Sequence, residues 1–304
     1  DGIPEGASFV EDSVVLNGLL GADSYYDGSG NSLIGDPEDI STFEIDEADA
    51  GVDLNGNGSE TDTVQALSFT DLELPRDATI SVEFTVDFDP EVLSAGDEIN
   101  NRFVAGEDDD GDGVPDDPEK SNETTTVIEP IYDTIARDTG DEDSDGTDDD
   151  GTLDDRATVD EAAAGSTVEF TNIIENTGNT TDTFDLTIEN GVASYGGVAD
   201  VSDLSDFPTG TTFTFWNESN NTQLTDTNGN GIPDTGSVDR DTEVQITVRA
   251  KLPADASGTG PFGATMTSTS GGDETVSDDK LEVLGEITAP NIDLANEFDE
   301  PRLR

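Results

Sequence analysis

The chain has 304 residues, with 73 Asp plus Glu against 11 Lys plus Arg, a formal net charge of −62, and neither Cys nor His. That balance argues against nucleic acid as a partner, since phosphate binding needs clustered cations; it also excludes disulfides and thiol-held zinc and removes the commonest general base. The apolar fraction of 31% is lean beside the roughly 45–50% of an ordinary soluble domain, and without an 18-residue apolar run no helical membrane insertion is expected.

The chain opens on Asp1 with no apolar leader, as expected of a processed or trimmed polypeptide. The first strand-like segment is "GASFVEDSVVLNGLL" (6–20), followed by "ATISVEFTVDF" (78–88), "STVEFTNII" (166–174) and "EVQITVRAKL" (243–252). In the last three, apolar and polar residues alternate with the period of half-buried strands. The alternating runs fall on either side of residue 135, so an all-β chain of two domains is expected: 1–135, an acidic linker over 136–156, 157–290, and a tail over 291–304. An offset of 164 residues pairs Arg76 with Arg240, Asp77 with Asp241, Val82 with Ile246 and Phe84 with Val248, as if one domain had been copied once.

Many acids sit at alternate positions in loops with Gly interposed. In "DDDGDGVPDDPE" the side chains of Asp108, Asp110, Asp112 and Asp116, the Val114 carbonyl and Glu119 follow the order of a twelve-residue calcium loop. "DTNGNGIPDTG" repeats that order with Asp226, Asn228, Asn230, the Ile232 carbonyl and Asp234. Looser copies occur at Asp53, Asn55 and Asn57 and at Asp141, Asp143 and Asp145, the latter inside the acidic run 138–155. Calcium takes about six to eight oxygens, which such spacing supplies from one tight turn; a single match in an Asp- and Gly-rich chain also fits a solvated turn. Four divalent ions would cancel about eight charges, so most of the −62 must be met by salt screening, weakly held cations or a saline habitat. These loops resemble the calcium repeats of thrombospondin type 3 and the loops of dockerins, over about ten residues each.

"AAAGSTVEFTNIIENTGNTTDTFDLTI" (162–188), with "APNIDLAN" further on, resembles the tandem surface-repeat domains of bacteria and archaea known as conserved repeats of unknown function. The likeness spans residues 155–295 and is weaker in the first half. It implies immunoglobulin-like β-sandwiches in secreted or cell-surface proteins, without catalytic residues. The expected fold is therefore two such sandwiches joined by the acidic, calcium-binding linker. Within the motif, Asn176, Thr177, Gly178 and Asn179 read as the turn of a hairpin.

Sequons begin at Asn122, Asn179, Asn217 and Asn220, so glycans are a candidate partner, although chance explains most such matches in this composition. No nucleophile elbow, P-loop or zinc-protease motif is present. Trp216, the single tryptophan, reads as a core or rim residue ahead of a sugar-stacking platform. The function expected is a non-enzymatic structural subunit of a calcium-stabilised extracellular filament or surface layer. Its partners would be copies of itself, joined head to tail by exchange of a terminal strand, 6–20 or 286–298. The alternative is a monomeric surface adhesin module binding carbohydrate or protein. A third reading is a salt-adapted domain without metal.

Overall fold

A computed structural model describes residues 3, 7–10, 13, 15–20, 23–24, 40–46, 53–54, 59, 61–69, 78–89, 92–106, 119–121, 123–139, 156–192 and 204–289. The chain divides into two compact units, Asp1–Pro130 and Ile131–Arg304. All regular structure among the described residues is β, and no helix there is long and apolar enough to cross a membrane.

The first unit contains β1 (Ala7–Phe9), β2 (Val15–Leu20), β3 (Asp23–Ser24), β4 (Ile40–Asp46), β5 (Thr63–Phe69), β6 (Ala78–Glu83), β7 (Val86–Phe88), β8 (Glu98–Asn101), β9 (Val104–Ala105), β10 (Glu119–Lys120) and β11 (Thr124–Val127). β2 lies between β3 and β6; β1 pairs with β7, β4 with β5, β8 with β11 and β9 with β10. Alternation works as expected in β5, where Val64 and Ala66 are buried between exposed Thr63 and Gln65. Within the single chain, β1 and β2 are hydrogen-bonded to β7 and β6 of their own unit. The 164-residue offset carries Ala78 to Thr242, and each opens a strand.

The second unit contains β12 (Ile135–Asp138), β13 (Arg156–Ala163), β14 (Thr167–Asn176), β15 (Asp182–Asn190), β16 (Ser205–Asp206), β17 (Thr212–Asn217), β18 (Thr222–Gln223), β19 (Asp234–Val238), β20 (Thr242–Lys251), β21 (Phe262–Ser270) and β22 (Ser277–Thr288). One sheet has the order β12-β14-β20-β17-β18 and the other β13-β22-β21-β15-β19, with β16 beside β21. The pair forms a β-sandwich. Inward residues of alternate positions, among them Val168, Phe170 and Ile174 of β14, Ile246 and Val248 of β20, Ala264 and Met266 of β21 and Leu284 of β22, make one buried cluster. Phe207 lies within it, edge-on to Phe170 at 6.3 Å and to Phe213 at 5.4 Å.

The units divide after Pro130, and β12, which precedes the acidic run, is hydrogen-bonded to β14 of the second sandwich; residues 140–155 of the run lie outside the described residues. Four residues beside a long acid run carry too little alternation to mark that strand. One expectation is corrected: Asn176–Asn179 is not a hairpin turn, because β14 and β15 lie in different sheets and the turn crosses the sandwich. Asn176 holds the crossing by donating to the Thr180 and Val238 carbonyls at 2.8 and 3.0 Å and accepting the Gly178 N–H. Gly178 is required by space: a Cβ there would sit 2.5 Å from the Ile131 carbonyl oxygen.

Candidate functional site

The loop 226–234 leads into β19, and β19 pairs antiparallel with β15. Phe184 and Leu186 of β15 point into the core, so Asp185 between them leaves the sheet on its outer face. A register shift in β15 between Thr183 and Asp185 sets Asp185 directly opposite Asp234. Both aspartates are buried, at 6% and 1% exposure. Two like charges facing each other across a ladder are unfavourable unless something lies between or around them.

The loop surrounds them with donors. Asp234 accepts the Thr227 N–H at 2.5 Å, the Thr227 hydroxyl at 2.6 Å, the Gly236 N–H at 2.7 Å and the Asn228 N–H at 3.2 Å. Burial pushes the Asp234 carboxyl up, but these bonds from Thr227, Gly236 and Asn228 outweigh it and hold the group below its ordinary value. Asp185 accepts the side-chain amides of Asn228, at 2.9 Å, and Asn230. Asp226 takes the N–H groups of Gly229 and Gly231, and the Asn228 and Asn230 side-chain oxygens take the N–H groups of Asn230 and Ile232. Gly229 and Gly231 adopt φ of +89° and +93°, which non-glycine residues rarely reach.

Of the expected ligands of this loop, Asn228, Asn230 and Asp234 are linked by hydrogen bonds and Asp185 joins Asn228 and Asn230 from outside the motif, whereas the bonds of Asp226 go to the Gly229 and Gly231 N–H groups. The place of Asp185 depends on ladder register, so no local spacing could have revealed it. The linked set of Asp185, Asn228, Asn230 and Asp234 carries side-chain oxygens of the kind a hard cation takes. A half-turn of the Asn228 and Asn230 amides would exchange N–H for oxygen toward Asp185. Carboxylates alone do not make the site: among the described residues no three acidic side chains converge on a point that could hold a metal.

The other expected ligands are only partly placed. Asp108, Asp110, Asp112, Val114, Asp116, Asn55, Asn57, Asp141, Asp143 and Asp145 lie outside the described residues. Glu119 is exposed at the start of β10, and Asp53 is half-buried.

Trp216 is half-buried, its indole N–H donates to Thr214 Oγ1 at 3.0 Å, and the Arg249 guanidinium lies 4.1 Å from the ring centroid. One ring face is thus taken by a cation, which places Trp216 as the rim residue of the preferred reading. The Asn179 sequon is closed to a glycan in the folded chain. Asn179 is 1% exposed, and its side-chain oxygen accepts the Ile131 N–H at 2.8 Å.

No family model and no curated protein matches the chain. Among solved structures it is similar to the CupB6 tip adhesin from Pseudomonas aeruginosa, at 13% identity and a TM-score of 0.32, over 92% of this chain and 88% of that one. Domains 4 and 5 of the S-layer protein SbsC are similar at 12% identity and a TM-score of 0.23, over 90% of this chain and 98% of that one. A family 123 glycoside hydrolase from Clostridium perfringens is similar at 11% identity and a TM-score of 0.29; 53% of this chain spans 28% of the hydrolase. TM-scores of this size carry no argument about function, for the adhesin and the S-layer protein as for the enzyme.

Proposed function

We propose that the chain is a non-enzymatic structural component of an extracellular or cell-surface assembly, and that calcium bound at loop 226–234 stiffens its second sandwich. The observation that carries this reading is the pair Asp185 and Asp234, both buried and opposed in one ladder beneath an oxygen-rich loop. A divalent ion between them would take both carboxylates as shared ligands. Asn228 and Asn230 would add oxygens, and Asp226 and the Ile232 carbonyl would have to turn inward to complete the set.

The assembly expected is a filament or layer of copies of this chain. Since β1 and β2 are paired within their own unit, the contacts between copies would join finished surfaces without exchanging those strands. At a net charge of −62, such contacts need counter-cations to relieve repulsion between like-charged faces.

Thermal unfolding in calcium and in EGTA at fixed ionic strength tests the binding part. A melting temperature raised by calcium in the native chain, and indifferent to it in Asp185→Ala, is the expected outcome. Equal melting in both media would sink it. Negative-stain imaging of natively isolated material tests the assembly part, with filaments that fray only under EGTA expected and dispersed particles in both media contrary to it.

A further inference from the structure

A second polar group lies inside the sandwich, on the opposite face of the same sheet, and nothing in the proposed function uses it. Asn172 of β14 and Lys280 and Glu282 of β22 are each 0% exposed. β14 and β22 belong to different sheets, so Asn172 meets Glu282 across the core, with Lys280 two residues before Glu282 on the same strand face and near enough for its charge to act on it. Asn172 shares its strand face with Phe170 and Ile174, and Lys280 and Glu282 share theirs with Leu284, all core residues. The ladder partners of Lys280 and Glu282 are Met266, Ala264 and Ala157, and that of Asn172 on β20 is Ile246, all buried and apolar. Water is therefore excluded from around them.

Within this dry pocket Asn172 Nδ2 donates to Glu282 Oε1 at 2.8 Å. Asn172 Oδ1 and Glu282 Oε2 accept no hydrogen bond among the described residues. Burial pushes the Glu282 carboxyl up to about 7, against the opposing influence of Lys280 and the Asn172 hydrogen bond, with Asp138 adding repulsion. Asp138, the β12 ladder partner of Asn172, and Asp278, two residues before Lys280, are the other acids at this end of the core. In so apolar a setting a neutral amine beside a protonated carboxyl competes well with an ion pair. An amine, a carboxamide and a carboxyl held together without water are the components of an amide exchange.

We propose that the folded chain joins Lys280 to Asn172 by an intramolecular isopeptide bond, with Glu282 carrying the protons. With the Asn172 amide turned by half so that Oδ1 faces Glu282, the neutral Lys280 Nζ attacks Asn172 Cγ, and the new N–C bond forms as Glu282 gives its proton to the carbonyl oxygen. The Glu282 carboxylate then takes a proton from Nζ and delivers it to Nδ2. The bond from Cγ to Nδ2 breaks, the carbonyl re-forms as its hydroxyl proton returns to Glu282, and ammonia leaves. Lysine and asparagine side chains become one secondary amide, Glu282 is regenerated, and no oxidant or cofactor is consumed. Glu282 is the catalytic residue of this step, since it touches the amide that reacts.

The test is mass spectrometry of the full-length protein purified in its folded state. The expected intact mass is one ammonia below that of the sequence, and proteolysis should release a branched peptide joining the segments of Asn172 and Lys280. Glu282→Gln and Asn172→Ala should keep the full mass and yield only linear peptides. The wild-type digest decides the matter even where a variant fails to fold. Full mass with linear peptides overturns the proposal. So does an Asp found at position 172, which would mean hydrolysis in place of bond formation, or a branch linking other residues.

Discussion

The six-stranded sheet of the second sandwich carries a polar cluster on each face, and the two solve opposite problems. On the outer face, Asp185 and Asp234 are hidden under a loop whose backbone and amide groups fill their acceptor positions. On the inner face, Asn172 and Glu282 are hidden among hydrocarbon and keep acceptors unfilled by the described residues. A filled cluster of like charges has a use for a cation. A dry, half-filled cluster of amine, amide and acid has a use for a bond. Burial alone therefore does not say what a polar group is for; its neighbours do.

The sharpest way to break this contrast is Lys280→Met. It removes the proposed bond and leaves Glu282 in the core without a cation beside it, and closure of a loop of about 100 residues by a cross-link stabilises by roughly 5 kcal/mol. A loss of that order in urea denaturation is expected, and a change below about 1 kcal/mol would show that the inner cluster contributes little. For the outer cluster, Asp185→Ala should abolish a calcium stabilisation of about 2–3 kcal/mol, the value for ligand near a hundredfold excess over Kd. The same substitution in EGTA should have a smaller effect, read from the melting temperature.

A third measurement separates proton binding from both clusters. Burial pushes the Asp278 carboxyl up to about 6, with repulsion from Asp279 and Asp133 adding to it, although it accepts the N–H groups of Ala136 and Asp279. The folded state thus holds this proton more tightly than the unfolded chain, whose group titrates near 3.8. Its contribution is fully present below that value and is lost as pH rises to about 6. Asp278→Asn should flatten the fall in stability across this window and, relative to wild type, gain about 1–2 kcal/mol at neutral pH. Parallel curves for the two proteins would contradict the assignment. The smallest effect expected is from Arg249→Lys, about 0.5 kcal/mol for a weakened cation–π contact, detected as a shift in emission of the single tryptophan, Trp216.

The long strands were legible because alternation over nine or ten residues leaves little freedom. The run 166–174 became β14, the run 243–252 became β20 apart from its last residue, and the two pair with Val168 opposite Ala250 and Phe170 opposite Val248. The loop 226–234 was legible because its spacing is local. Asp185 was not, since only a register shift in β15 brings it opposite Asp234. Asn172 was hidden as one polar residue on an apolar face, and Lys280 in "SDDKLEV" reads as a solvated charge until the two sheets close over it. The hairpin reading of Asn176–Asn179 failed because a polar turn with Gly serves a crossing between sheets as well as a return within one.

Placing β12 ahead of the acidic run changes what a cut in that run would accomplish. Severing the chain between Gly140 and Asp155 would not release the two units from each other. The piece ending in β12 would stay on the second sandwich, paired to β14 and anchored by Arg137 between Glu175 and Glu243. Only unfolding would part the products, into a protein with an empty strand position and a fragment with the matching strand, two halves able to find each other again in solution.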